Sequence, residues 1–391
     1  MRIDFKFLLT GVSGMILAAS GAAFAETRGV TDTEIRVGSH TALTGPVAPW
    51  GTGSVSGSRM AFAEVNEKGG IHGRKIKLIV EDHSYLVPKA IQAANKLLNR
   101  DKVFVMFAAL GTPMNNAVLP RQLKAGVPNF APFTSARQMI MPFNRLKFMM
   151  TASYYDQVRA ATKYFVKEKG LKNICTMYQD TDYGREIFQA ARDQLKAMGM
   201  KLAATSTHNP RERSFTGAIT KLRKAGCQAT MMGTIITDTI VPFVTAKKLG
   251  WNTIFVGNIA TYDLIVSGFE KGAMNGYYAM SSFEMVYGDT AKGTRKQWAD
   301  DFKKRFDKPH TGAAQLAYFS AEVLIEALKR AGRGLTTDSF IKAVHSIKDF
   351  QSKLGGAPIT FGDKDHQGSN EAFLTVVENG RWKTLTEALS Y

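Results

Sequence analysis

The sequence predicts an α/β protein built as two lobes, each a doubly wound parallel sheet, and three observations lead there. Short apolar runs of β type alternate with longer stretches of helical periodicity, the rhythm of right-handed βαβ units. That rhythm runs from Glu34 to Ser135 and begins again after residue 154. A strand over 276–281 then turns back toward the first half, and two amphipathic helices follow it. Two successive βαβ halves with a late return make a bilobed molecule with a cleft between the lobes. The 391 residues suit two domains of ordinary size, and an apolar content of 45% with 21% charged residues is that of a globular chain.

Residues 1–25 read as a secretory signal peptide: Arg2 and Lys6, an apolar run from Phe7 to Ala19, and the small-residue site Ala23-Phe24-Ala25. The run is too short to span a bilayer, and no cysteine stands near the cleavage point to carry a lipid anchor. The chain from about Glu26 onward is therefore expected in the periplasm.

The first half opens with a strand at Glu34–Ser39 and a Gly/Pro-rich loop over 41–53 that contains Trp50. A helix with Ala61, Phe62 and Val65 on one face ends at Gly69-Gly70, as helices commonly do. Ile76, Leu78 and Val80 alternate as a strand, and a helix over Pro88–Arg100 places Ile91, Ala94 and Leu98 on one side. His83 and Tyr85 follow a strand that is expected off-centre, away from any site.

The stretch 102–135 carries the strongest local signal: a buried strand over 103–110, a helix, and a second strand ending at Phe133-Thr134-Ser135. Gly111 precedes Thr112, which sits where an N-cap belongs, and Pro113 follows at the first helical position. Free backbone N–H groups and the positive end of the helix dipole then face outward and favour an anion. Thr134 and Ser135 add hydroxyls and donors at the same sheet edge, where open α/β sheets bind ligands. Taken alone, such a junction is more often an ordinary packing helix.

The second half repeats the pattern: a helix over Asp156–Lys169, strands at Asn173–Tyr178, Lys201–Thr207, Ala229–Gly233 and Thr253–Val256, and helices between them, one capped by Ser214. Tyr154 and Tyr155 precede it, where hinge packing and ligand contact are equally open. Amphipathic helices over Thr294–Phe306 and Gln315–Ala331 come next, and two short strands joined by Asn379-Gly380 close the chain as a hairpin.

The formal charge is +18; the leader holds two bases and one acid, so the remainder carries +17. The bases lie along helix faces, such as Lys221, Arg223 and Lys224, and no nucleic-acid motif accompanies them beside an export signal. A nucleic-acid partner is not expected. Cys175 and Cys227 could pair in an oxidising compartment, but their offset along neighbouring strands argues against a bond. The seven histidines show no metal-ligand spacing, and no G-x-S-x-G elbow, Walker loop or dinucleotide fingerprint appears. Asp363 to Gly368 starts like an EF-hand loop, yet Leu374 stands at its twelfth position, so it is a turn. The chain is read as a binding protein, not an enzyme, with no cofactor and no metal.

Four segments together carry a resemblance: LTGPVAPWG (43–51), NEKGGIHGRKIKLIVED (66–82), KAGVPNFAP (124–132) and QDTDYG (179–184). The chain resembles the type I periplasmic solute-binding proteins of ABC transporters, in particular the leucine/isoleucine/valine-binding family. The resemblance implies lobes of residues 34–153 with 283–365 and of 154–282 with 366–391, joined by a three-crossover hinge. It implies that a ligand carboxylate is held at Thr112 and Ser135, that the Phe133 carbonyl helps hold an ammonium group, that Tyr183 reaches in from the second lobe, and that Trp50 packs on the apolar part.

Two departures matter. Ile259 stands where these relatives place the acid that pairs with the ammonium, and Ile235 where they place an aromatic residue. Asp263, four residues on, could replace the acid but reads better as a helix cap. A buried ammonium without its carboxylate costs several kcal/mol. The ligand expected is a small carboxylate, an aromatic or aliphatic acid ahead of an amino acid, between apolar walls of Trp50, Phe133, Ile235 and Ile259. Its implied partners are an inner-membrane ABC permease and ATPase; the alternative is a soluble sensor signalling through a membrane partner.

Overall fold

Two sheets organise the chain in this computed structural model, which describes residues 27–391 together with Met1; the predicted signal peptide beyond Met1 lies outside the described residues. The first sheet is wholly parallel, in the order β2 (Lys75–Asp82), β1 (Glu34–Thr41), β3 (Val105–Phe107), β4 (Asn129–Phe130) and β5 (Lys147–Phe148). Helices α1 (Ala48–Glu67), α2 (Val87–Asn95) and α3 (Thr112–Lys124) connect its early strands.

The second sheet has seven strands. Its parallel part runs β7 (Ala204–His208), β6 (Ile174–Gln179), β8 (Ala229–Gly233), β9 (Ile254–Gly257) and β10 (Tyr278–Ser281), served by α4 (Tyr154–Lys167), α5 (Asp182–Ala197), α6 (Thr216–Lys224) and α7 (Thr237–Lys248). A short helix, α8 (Leu264–Ser267), follows β9. The chain then leaves for the first lobe, where α9 (Gly293–Phe306), α10 (Gly312–Ala331) and α11 (Thr337–His345) lie. It returns as the antiparallel hairpin β11 (Phe373–Glu378) and β12 (Arg381–Ala388), turning through Asn379 and Gly380 at positive φ. The chain thus passes between the sheets after β5, after β10 and before β11.

Several elements differ from expectation, each for a tertiary reason. The predicted loop 41–53 is already helical from Ala48, so Trp50 lies in the first turn of α1, where Pro49 is tolerated because the first N–H groups lack partners anyway. Gly57 lets α1 press on α10: a Cβ there would sit 2.0 Å from the Ala314 carbonyl oxygen. Thr112 is not the N-cap of α3. Gly111 occupies that place at φ 95°, and no side chain caps the helix. Nor does Ser214 cap α6; buried Phe215 takes the position while Ser214 faces solvent.

Cys175 and Cys227 are joined by a disulfide, with Cα atoms 5.8 Å apart, contrary to the offset argument. Cys227 precedes β8 rather than standing within it, and the N–H groups of Gln228 and Ala229 both point to the Asn173 carbonyl. That kink brings Cys227 back beside Cys175. Helix α11 was not expected. Its Thr336/Ser339 capping box and the buried Phe340, Ile341 and Val344 are a legible signal, and the Phe340 ring packs on Phe104 and Phe130 at 5.5 and 5.7 Å.

Candidate functional site

The strands β3 and β4 stop short because Ala108 and Ala131 take left-handed φ of 50° and 51° just past their ends. The chain bends there, and beyond the bends Leu110 and Phe133 meet in an isolated parallel bridge. The segments 109–112 and 132–135 thereby become the floor of a cavity between the two lobes. All nine residues singled out from the sequence line it: Trp50, Gly111, Thr112, Phe133, Thr134, Ser135, Tyr183, Ile235 and Ile259.

The first-lobe floor is a set of hydroxyls and amides. Thr112 Oγ1 lies 2.6 Å from Thr134 Oγ1, and Ser135 Oγ lies 2.7 Å from Thr151 Oγ1. Among the described residues, the N–H groups of Thr112 and Thr134 donate to no protein acceptor, and that of Ser135 faces the Tyr154 phenol. With the positive end of the α3 dipole behind them they form an anion-favouring surface. The Tyr154 phenol faces Thr134 and Ser135, and burial pushes it up to about 12, so it stays a neutral donor. The Trp50 and Phe133 rings stand edge to face at 5.9 Å and form an apolar side wall.

The second lobe presents carbon. Ile235 and Ile259 are 8% and 3% exposed, and their N–H groups are already bonded to Asp238 Oδ1 and Gln157 Oε1 at 2.9 Å each. Tyr183 turns its hydroxyl away from the floor: it donates to the Thr234 carbonyl at 2.7 Å and accepts from Asn258 Nδ2 at 3.0 Å. Its ring packs edge to face on Tyr154 at 5.0 Å. Among the described residues, no charged side chain lines the cavity. Asp263 does not replace the missing acid. One of its oxygens caps α8 through Ile265 N and the other accepts from Ala313 N at the start of α10, while burial pushes the group up to about 6. It ties the two lobes at the crossover, outside the cavity.

Tyr85 is the clearest residue that sequence reading placed wrongly. Strand β2 is indeed at the sheet edge, but Ser84 and Tyr85 both take left-handed φ, which swings the phenol ring back into the cavity. No sequence signal announces that turn. Leu316 and Ser320 were also missed; they are four apart on one face of α10, a spacing that could have marked them. Tyr154 lines the cavity, while Tyr155 lies outside it under the Arg137 guanidinium.

Across the mouth the lobes touch. Asn116 Nδ2 on α3 donates to Asp182 Oδ2 on α5 at 2.9 Å. The backbone and side chain of Arg137 both donate to Glu186 Oε1, at 3.0 and 3.1 Å. Among the described residues, no group of three or more His, Cys, Asp or Glu side chains is placed to hold a metal ion.

A family model described as periplasmic binding protein matches residues 34–381. The leucine-, isoleucine-, valine-, threonine- and alanine-binding protein of Pseudomonas aeruginosa is 24% identical over 321 residues, which cover 82% of this chain and 84% of that protein. A branched-chain amino acid ABC transporter structure from Thermus thermophilus with bound valine aligns at TM-score 0.85 and 18% identity, covering 93% of this chain and 98% of that one. A solute-binding protein of an ABC transporter from R. palustris in complex with benzoate aligns at TM-score 0.80 and 16% identity, covering 92% and 98%.

Proposed function

We propose, for a chain that belongs to the periplasmic binding protein family in its leucine/isoleucine/valine-binding branch, that the captured solute is a small carboxylate without an ammonium group. Its relatives are solute-binding proteins, not enzymes. One observation carries the reading: the cavity lining offers hydroxyls and free amides to an anion and no carboxylate to a cation. An α-amino acid would bring an ammonium into this site without a paired charge, a loss of about 3 kcal/mol or more. The Phe133 carbonyl, the acceptor the resemblance implies for that group, already receives the Gly111 N–H at 3.2 Å and, being neutral, supplies no paired charge. An aromatic or aliphatic acid brings no charge that lacks a partner: its carboxylate meets Thr112, Thr134 and Ser135, and its body lies against Trp50, Phe133, Ile235 and Ile259. Relatives of this fold hold valine in one case and benzoate in another, so the lining, not the fold, supports the choice.

Closure is then driven by contacts made only when both lobes touch the solute. The first lobe takes the carboxylate, and the second adds the Tyr183 ring and the two isoleucines. An ABC permease reads the closed form in the periplasm. The test is a thermal-shift panel on refolded, ligand-stripped protein without its leader, followed by calorimetry. Leucine, isoleucine and valine are set against benzoate, hydroxycinnamate and medium-chain fatty acids. A solute at a hundred times its Kd stabilises by about 2.7 kcal/mol. A response to the acids alone is expected; a clear response to leucine overturns the reading.

A further inference from the structure

Two polar groups in the cavity are not used by the carboxylate floor. The Tyr85 hydroxyl makes no hydrogen bond to any described residue, although the side chain is only 7% exposed and lines the cavity. The indole N–H of Trp50, 5% exposed on the same lining, also has no partner among the described residues. Buried polar groups in native proteins are almost always paired, so the orphaned indole N–H, with the unpartnered Tyr85 hydroxyl on the same cavity, calls for a solute that pairs them.

The placement of Tyr85 is built. Ser84 and Tyr85 hold left-handed φ of 51° and 56°, a conformation that persists only where its surroundings over-determine it. They do so here. Asp82 accepts from the N–H groups of Leu43 and Ser84, and from the hydroxyls of Thr44 and Ser84. His83 accepts the Tyr85 N–H at Nδ1, 3.0 Å away, and its Nε2–H donates to the Leu110 carbonyl at 3.1 Å. Gly111 makes room for the ring, since a Cβ there would lie 3.0 Å from Tyr85 Cε2. Burial keeps the phenol protonated, able to donate and to accept.

Resting on the reading above, we infer that the solute carries a second polar group besides its carboxylate, an oxygen on an aromatic ring that Tyr85 and Trp50 recognise. A hydroxyl or carbonyl oxygen can accept from the indole N–H and bond the phenol; a fatty chain or an unsubstituted ring can do neither. The class is therefore ring-oxygenated aromatic acids.

Calorimetry on paired solutes tests this: benzoate against 3- and 4-hydroxybenzoate, and cinnamate against 4-hydroxycinnamate, on the unaltered protein, Tyr85→Phe and Trp50→Phe. Both members of a pair are measured on the same variant, so any general damage moves both and the ratio isolates the hydrogen bond. At least one hydroxylated acid is expected to bind tenfold or more tightly than its parent. In Tyr85→Phe that preference should fall to within twofold of unity, and Trp50→Phe should reduce it. Equal affinities within each pair, or a preference that survives Tyr85→Phe, overturn the inference while leaving the carboxylate reading in place. Leucine binding with no acid binding removes that reading and this inference with it.

Discussion

Thr112 Oγ1 and Thr134 Oγ1 share a hydrogen bond on the cavity floor, so in the proposed complex each hydroxyl would act on the solute and on its neighbour. Thr112→Ala is expected to weaken acid binding about tenfold, the worth of one charge-assisted hydrogen bond, with the ligand-free melting temperature little changed. Trp50→Ala should weaken it further by removing the wall, and unchanged affinity in both variants would exclude this cavity as the site. Glu186 supports a separate prediction. Burial pushes its carboxyl up to about 7 even though Arg137 pulls the other way. The folded protein then holds a proton that the unfolded chain, with an ordinary carboxylate, has released. The stabilisation from this group is full below about pH 4 and is lost as pH rises through about 7. Asp263, pushed up to about 6 by burial, acts in the same direction. His40 and His83, held neutral by burial, act the other way below about pH 6.5, so the group is read by difference: chemical denaturation from pH 5 to 8 should show the stability of the unaltered protein falling relative to that of Glu186→Gln. An unaltered slope would show that Glu186 titrates normally.

At the scale of elements, the start of α3 decides the site. The sequence places a helix after a strand correctly and reads an anion site from it, but assigns the cap to Thr112. Pro113 and the small polar residues are local signals; the ring of Tyr85 pressing on Gly111 is not. Gly111→Ala forces a side chain into φ 95°, a strain of about 1 kcal/mol or more, and into contact with Tyr85 and Met114. Lower stability together with weaker acid binding is expected, read by denaturation and calorimetry; a neutral substitution would mean the junction is not held as described. Strand lengths were overestimated for a related reason. Apolar runs such as 103–110 continue past the ladder because the residues after Ala108 stay buried as cavity floor, and periodicity does not separate floor from strand.

For the whole molecule, the disulfide and the lobe contacts set stability and motion. The Cys175–Cys227 bond closes a loop with a sequence separation of 52, which in the chain-entropy model stabilises by about 4 kcal/mol. Cys175→Ser with Cys227→Ser, or reduction, should lower the denaturation midpoint by up to that amount without changing which solute binds. A midpoint insensitive to reductant would show that the bond is absent in solution. Asn116 to Asp182 and Arg137 to Glu186 join the lobes across the mouth. Scattering should report a smaller radius of gyration on adding a bound acid, and Asn116→Ala should raise the solute concentration needed. Equal radii with and without solute would exclude closure.

The sequence by itself determined the α/β class, the order of nearly every helix and strand, and the residues gathered at the cavity, because alternation, helical periodicity and family motifs are written in neighbouring residues. It also showed uncharged isoleucines at 235 and 259, on which the proposed choice of an acid without an ammonium rests. Only the tertiary structure decided that Tyr85 turns inward, that Asp263 serves the crossover and that Cys227 reaches Cys175. It alone shows, too, that the Tyr183 hydroxyl is spent on Thr234 and Asn258. Each of these depends on a backbone bend or on a group many residues away, and no local pattern encodes such a distance.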